Sequence, residues 1–344
     1  MHGCGETEHI VMNQRSWKLS WAAICLVAVT LSAQRGARTP IFLEPELKIA
    51  LNATTIESFP TFAAADLLAE LGNNPRIQLV PTPNGRAAMA QLVSGAVDAA
   101  TGSETQALLN SVADPRVRIV ITLSECRYRI IARGSAGIQR VSDLRGKKVA
   151  ATINTSSQYY LAGMLRAANL READIQMVPL EGQEMAKALQ NGAVDAVSIW
   201  EPHAQNSLEA LGKDAVVFEN PSVYTERFNL NTRTDVLADG PRRLALTRFV
   251  QAIITASARM RTQPAEVISS HSPRTGFTER TVLAVWRQFR FPASLPDKLR
   301  VSLGEVEPWV AATQKRQARS LQELASLIDS TVLAEAQKQG SARR

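Results

Sequence analysis

The chain is poor in the residues that redox, metal and nucleic-acid chemistry require. It has three cysteines and four histidines in 344 residues. Cys4 and Cys25 both precede residue 34, so only Cys126 follows, and one thiol cannot form an internal disulfide. Of the histidines, only His203 and His271 lie beyond the first 33 positions, and no His-x-x-x-His or paired-cysteine spacing suggests zinc. No glycine-rich loop of the P-loop or dinucleotide type is present. Cys126 and His203 could in principle serve as nucleophile and base, but they fall in different predicted lobes, and a lone cysteine is more often a small buried hydrophobe. Aromatic residues make up 5%, and lysines and arginines are scattered rather than gathered in a stripe. The formal charge of +7 therefore reads as solvated surface charge, and no nucleic-acid partner is expected.

A run long enough to span a bilayer is also missing near the start. The apolar stretch Leu19–Leu31 would be ~20 Å long as a helix, against a hydrocarbon core of ~30 Å. Arg15 and Lys18 precede it and Ser32-Ala33-Gln34 follow, which are the parts of a secretory signal over residues 1–33. Export to the periplasm is expected, with an uncleaved membrane anchor as the alternative. Ile24 before Cys25 argues against a lipoprotein site, and Met12 would give a leader of more usual length. Removing the leader takes away Arg15, Lys18, Glu6 and Glu8, so the net charge is unchanged.

What the chain does have is room for two cores and an internal repeat. Apolar residues form 45% and charged residues 21%, an ordinary soluble composition. Leu92-Val-Ser-Gly-Ala-Val-Asp-Ala-Ala100 recurs as Leu189-Gln-Asn-Gly-Ala-Val-Asp-Ala-Val197. Upstream of each copy, at nearly the same offset, a short strand runs into a hydroxyl-rich turn: Lys48–Thr55 and Lys148–Ser157. Each unit reads strand, helix, strand, helix, strand, with Gly72, Gly95 and Gly192 as helix stops. Such alternation implies a parallel sheet with right-handed crossovers. The expected fold is α/β and two-lobed, each lobe a mostly parallel sheet flanked by helices, with a cleft between them. Lobe one is assigned to residues 46–127 plus 229–336, lobe two to 128–228, and 337–344 to a frayed tail. Helices are predicted over Pro241–Arg261, Glu279–Phe289, Val306–Arg316 and Leu321–Ala336, completing lobe one and buttressing the hinge.

Ligands of open α/β sheets sit beyond the carboxyl ends of the strands. That selects Thr54–Phe62, Thr101–Thr105, Asn154–Tyr160 and Ser198–His203. From these loops Thr55, Glu57, Phe59, Gly102, Ser103, Glu104, Asn154, Thr155, Ser156, Ser157, Trp200 and Glu201 are candidate ligand contacts. Asn229 joins them from the returning strand, with Asn231 and Thr232 beside it. Asn154-Thr155-Ser156-Ser157 stands before a helix, where free N–H groups and short polar side chains can hold an oxyanion, or where a single residue can simply cap the helix. Trp200 can wall the pocket or pack in the core. Glu57, Glu104, Glu125 and Glu201 together suit an amine, an amidine or a zwitterion better than nitrate or sulfate. Arg127 can neutralise Glu125 or meet an acid group.

The stretch Ser142-Asp-Leu-Arg-Gly-Lys-Lys-Val-Ala150, followed by Thr155-Ser-Ser-Gln-Tyr-Tyr160, Gly192-Ala-Val-Asp-Ala196 and Trp200-Glu-Pro202, resembles the periplasmic solute-binding family for nitrate, alkanesulfonates, taurine and thiamine-pyrimidine precursors. The closing Leu321–Asp329 is similar to that family's C-terminal helix entry. The resemblance covers roughly Leu47 to Ala336. It implies the type II periplasmic-binding-protein fold and a non-enzymatic subunit of an ABC importer, which closes its lobes on a small polar organic solute such as a sulfonate, a taurine-like zwitterion or a pyrimidine-like compound. It also implies a membrane permease partner with a separate ATPase subunit, no cofactor, no metal and a monomeric state. In the family the tryptophan and glutamate matching Trp200 and Glu201 line or border the cleft. Cytosolic relatives that make the thiamine pyrimidine carry a cysteine-rich motif, which this sequence lacks. A ligand-sensing domain shares the fold but is normally fused to a membrane-spanning signalling part.

Overall fold

Short runs rich in alanine and branched residues alternate with helical segments through most of the chain, and each run takes a place in one of two sheets. The structure, a computed structural model, describes residues 46–72 and 75–341; the expected leader over residues 1–33 lies outside them. In chain order the strands are β1 (Glu46–Asn52), β2 (Arg76–Thr82), β3 (Ala99–Ser103), β4 (Val117–Arg127), β5 (Arg129–Arg133), β6 (Lys148–Ala151), β7 (Gln176–Pro179), β8 (Ala196–Ile199), β9 (Ala215–Phe218), β10 (Thr225–Arg233) and β11 (Phe289–Arg290). They form a six-stranded sheet ordered β11-β4-β10-β3-β1-β2 and a five-stranded sheet ordered β7-β6-β8-β5-β9.

The two sheets share one plan. In each, three parallel strands carry the repeat (β2-β1-β3 and β7-β6-β8), and an antiparallel strand follows beside the third. That strand is β10 in the first sheet and β5 in the second. Each of them is the first strand laid down after the chain crosses between sheets. Helices Phe59–Glu70 and Gly85–Ser94 link the parallel strands of the first sheet; Ser156–Ala167 and Gly182–Gln190 link those of the second. A further helix follows the third strand in each, Glu104–Ala113 and His203–Leu211, neither of which the sequence pattern predicts.

The repeated Gly-Ala-Val-Asp does the same physical work twice. Gly95 and Gly192 end their helices with φ of 81° and 76°, a left-handed conformation that a residue with a Cβ adopts at a cost. Three residues later the aspartate turns back to the first strand. Asp98 accepts a hydrogen bond from the Lys48 N–H at 2.9 Å and its own N–H donates to the Lys48 carbonyl. Asp195 accepts from the Lys148 N–H at 3.0 Å and likewise donates to the Lys148 carbonyl. Each carboxylate thus registers the third parallel strand against the first. Arg242 and Arg133 stand beside the two aspartates, at 3.4 and 3.1 Å.

One hydrophobic cluster fills the second lobe and continues through Leu299, Leu303, Val306 and Val310 into helix Lys298–Thr313, with Leu108 and Ile119 of the first lobe. That helix is the buttress between the lobes. The predicted helix Leu321–Ala336 is instead two, Leu321–Ala325 and Thr331–Ser341. The break exists because the Ile119 N–H donates to the Leu327 carbonyl and the Asp329 N–H donates to the Ile119 carbonyl, so the segment covers an open edge of β4. The second of these helices runs on to Ser341, into the tail expected over residues 337–344. Helix Pro264–Thr275 was not predicted, and Glu279–Phe289 is shorter than expected, ending in a turn that leads into β11.

The twin aspartates give a direct test. Asp98→Ala and Asp195→Ala should each lower stability by about 1 kcal/mol in urea unfolding, the usual net worth of a hydrogen bond at an exposed strand end. Midpoints unchanged in both variants would show that the repeated motif does not register the sheets.

Candidate functional site

The carboxyl ends of β1, β3, β6 and β8 face one another across a narrow cleft. It is lined by Asn52, Glu57, Gly85, Arg86, Ser103 and Gln106 of the first lobe. Thr155, Ser156 and Trp200 line it from the second, and Tyr128, Glu226 and Phe228 from the two strand crossings. Several bonds span it. Arg86 holds Glu181 at 2.7 Å and donates to the Ile153 carbonyl at 2.9 Å. The Asn84 amide donates to Glu181 at 2.7 Å, the Gln106 amide donates to the Asn154 carbonyl at 2.6 Å, and the Thr55 hydroxyl lies 3.2 Å from the Glu201 carbonyl.

At the base of the cleft lie carboxylic acids with almost no exposure. Glu226 Oε1 accepts from the Tyr128 hydroxyl at 3.0 Å and from the Ser156 hydroxyl at 2.7 Å. The Glu57 carboxyl hydrogen-bonds to Glu226. Burial first, and then the Glu226 charge and that bond, push the Glu57 pKa well above the usual carboxylate range. The Thr55 hydroxyl donates to Glu57 Oε2 at 3.2 Å, and apart from the bond between the two acids no residue donates to Glu57 Oε1 or Glu226 Oε2. Glu104 sits deeper, accepting from the Ser302 hydroxyl at 2.7 Å and from the Arg227 N–H at 2.9 Å. Burial and the Glu226 charge raise it to about 7.

The sequence-selected residues divide by where the local backbone turns each side chain. Glu57, Ser103, Thr155, Ser156 and Trp200 line the cleft. Thr55 caps the turn after β1, accepting from the Glu57 N–H, and reaches across to Glu201. Phe59 points the other way, into a cluster with His271 and Trp286. Gly102 supplies space: a Cβ there would meet Met89 at 3.1 Å and Gln106 at 3.2 Å. Asn154 takes a left-handed φ of 57° and offers its carbonyl to Gln106. Thr155 caps helix Ser156–Ala167 through the Ser157 N–H. The Ser157 hydroxyl donates to the Ser198 carbonyl, away from the cleft. Glu201 is committed to a buried ion pair with Arg129 at 2.6 Å. Asn229 lies inside the sheet, accepting from the Thr122 hydroxyl and donating to the Arg227 carbonyl. Asn231 and Thr232 bond backbone carbonyls of the same sheet, and Arg127 pairs with Glu219 at 3.5 Å.

Asn52, Gly85, Arg86, Gln106, Tyr128, Glu226 and Phe228 were missed. Glu226 and Phe228 had a usable signal, since both stand at the start of the returning strand whose residue Asn229 was singled out. Cys126 is buried, and burial followed by the charges of Glu57, Glu201 and Glu226 pushes its thiol pKa well up, which holds it protonated. No group of three His, Cys, Asp or Glu among the described residues is placed to hold a metal ion, and none of their helices is long and apolar enough to cross a membrane.

Two α/β lobes of like topology, crossed twice by the chain and facing each other over a polar cleft, define the two-lobed periplasmic-binding-protein fold. Residues 76–267 match the NMT1/THI5-like family model, and the chain belongs to that family. A Bacillus subtilis protein named for aliphatic sulfonate binding is 36% identical over 104 residues, spanning 29% of this chain and 31% of that protein's length. Among solved structures, the periplasmic aliphatic sulphonate-binding protein SsuA from Escherichia coli superposes with a TM-score of 0.66 at 20% identity, covering 81% of this chain and 91% of that one. The alkanesulfonate-binding protein SsuA from Xanthomonas axonopodis pv. citri, bound to MOPS, gives 0.70 at 19% identity, covering 84% and 99%.

His203 supplies a pH test at the edge of this site. It is buried against Phe277 and Trp200, its Nε2 has no partner, and burial lowers its pKa to about 4. A histidine held neutral contributes stability that is complete above its unfolded value of about 6.5 and is lost as pH falls toward the folded value. His203→Gln should therefore remove up to about 3 kcal/mol of acid sensitivity between pH 6.5 and pH 4 relative to the unaltered chain. Parallel stability–pH curves for the two proteins would contradict the buried, neutral assignment.

Proposed function

We propose that this protein is the extracytoplasmic solute-binding subunit of an ABC importer, capturing a small polar organic solute by closing its lobes. The observation that carries this reading is the set of side chains meeting across the cleft: Arg86 and Asn84 on Glu181, and Gln106 on Asn154. All five residues belong to loops or helix starts at strand ends, and each bond exists only while the lobes stay together. A solute contacting both faces favours that arrangement over an open one by its differential affinity. The closed surface is then what a membrane permease engages, with ATP hydrolysis in a separate subunit. The relatives named for sulfonate binding support the class. Location in the periplasm, a monomeric state and release of the leader over residues 1–33 belong to the same reading.

An enzymatic reading built on Cys126 finds no support in the site. Its Sγ–H donates to the Arg127 carbonyl at 3.2 Å and the thiol is held protonated, so Cys126 offers the cleft no thiolate. In this reading the protein carries out no covalent chemistry.

Closure can be tested without knowing the solute. Glu181→Ala removes both the Arg86 and Asn84 contacts, and the loss of about 1 kcal/mol should shift the closed-to-open balance about five-fold. Small-angle scattering should then show a larger radius of gyration than the unaltered protein. Identical scattering profiles would mean that these contacts do not hold the lobes together.

A further inference from the structure

We propose that the solute is an organic cation, a protonated amine or an amidinium, whose N–H donors are received by the Glu57 and Glu226 carboxylates. This rests on the solute-binding reading above and narrows it to one charge class. Both side chains are almost fully buried, both line the cleft, and apart from the bond between the two acids no residue donates to Glu57 Oε1 or Glu226 Oε2. Buried carboxyl oxygens that depend on a shared proton are uncommon, and here they belong to two adjacent side chains lining one cleft. An ammonium or amidinium group offers donors to both at once.

The rest of the lining favours the same charge. Tyr128, Trp200 and Phe228 are aromatic side chains at the cleft, where cation–π attraction adds to the carboxylates. The unpartnered Trp200 Nε1–H faces an acceptor atom elsewhere on the solute. An oxyanion finds little. Among the cleft-lining residues the cation is Arg86, whose side chain is 43% exposed and already holds Glu181. The Ser156 hydroxyl lies between Tyr128 and Glu226, the Ser103 hydroxyl bonds Thr105 at 2.6 Å, and the Thr155 hydroxyl donates to the Thr152 carbonyl at 2.7 Å. An anion placed among these groups would meet the Glu226 carboxylate with no free positive charge to balance it.

Binding is coupled to a proton. Burial and the neighbouring Glu226 charge favour the neutral acid form of Glu57, hydrogen-bonded to Glu226. The arriving cation replaces that proton: Glu57 passes from carboxylic acid to carboxylate and one proton goes to solvent. Affinity therefore rises with pH, by up to tenfold per unit while Glu57 is protonated in the free protein.

Thermal-shift and calorimetric titrations of the full chain with benzamidinium and phenethylammonium, against benzenesulfonate and nitrate, test this at pH 6, 7 and 8. The cations should raise the melting temperature and the two anions should not. Titration in two buffers of different ionisation enthalpy should show about one proton released per cation bound. Glu226→Gln should weaken cation binding at least tenfold, and Glu57→Gln should abolish the proton release; both are close in shape to the native residues, and their circular dichroism melts check the fold. Binding of benzenesulfonate or nitrate, undiminished in Glu226→Gln and with no response to either cation, would overturn the charge assignment while leaving the receptor reading intact. A silent panel overturns the cation proposal, and together with unaltered scattering for Glu181→Ala it overturns both.

Discussion

The antiparallel ladder between β4 and β10 is the constraint on which the rest of the molecule depends. Nine residues of β10 pair with β4 from Thr225 opposite Arg127 to Arg233 opposite Val117, with two irregularities in register. Because β4 leaves the first lobe where β10 returns to it, this one ladder fixes both crossings. It also fixes Tyr128, just past its end and entering the second lobe, and Glu226, the second residue of β10, paired opposite Cys126. Their hydrogen bond at 3.0 Å ties the outgoing and incoming chains together at the floor of the cleft. The buried acids are there because the ladder ends there.

That placement explains why the cleft is polar although its surroundings are apolar. Desolvation penalises every carboxylate it covers, and three of the buried ones, Glu57, Glu104 and Glu226, gather around the floor of the cleft. Glu104 is compensated by Ser302 and the Arg227 N–H, and half of Glu226 by Tyr128 and Ser156. Glu57 Oε2 has the Thr55 hydroxyl at 3.2 Å, while Glu57 Oε1 and Glu226 Oε2 have no donor beyond the bond between the two acids. A protein gains nothing in stability from such a pair, and buried polar groups left part-satisfied are characteristic of sites that await a ligand.

The division into lobes was legible because it rests on repetition. Gly-Ala-Val-Asp recurs with its glycine in the same left-handed conformation and its aspartate on the same lysine N–H, so a local pattern carries non-local information. The strand-end loops were legible for the same reason. Which side chain within a loop faces the cleft was not. Ser156 and Ser157 are neighbours at a helix start, about 100° apart around its axis, and one reaches Glu226 while the other reaches Ser198. Glu201 was drawn to Arg129, a partner 72 residues away that no local pattern pairs with it. Glu226 and Tyr128 depend on the strand order β3-β10-β4, which places a returning strand between two earlier ones. The broken helix at residues 326–330 likewise follows from an uncovered edge of β4 that the sequence does not display.

The central claim is that this cleft captures a solute and that its floor sets the charge of that solute. Native mass spectrometry of freshly purified protein, followed by release and identification of any retained small molecule, tests it most directly. The expected result is a bound compound carrying an amine or amidine group, lost when Glu226 is replaced by glutamine. Recovery of a sulfonate or another oxyanion with no basic nitrogen, retained equally by that variant, would contradict it.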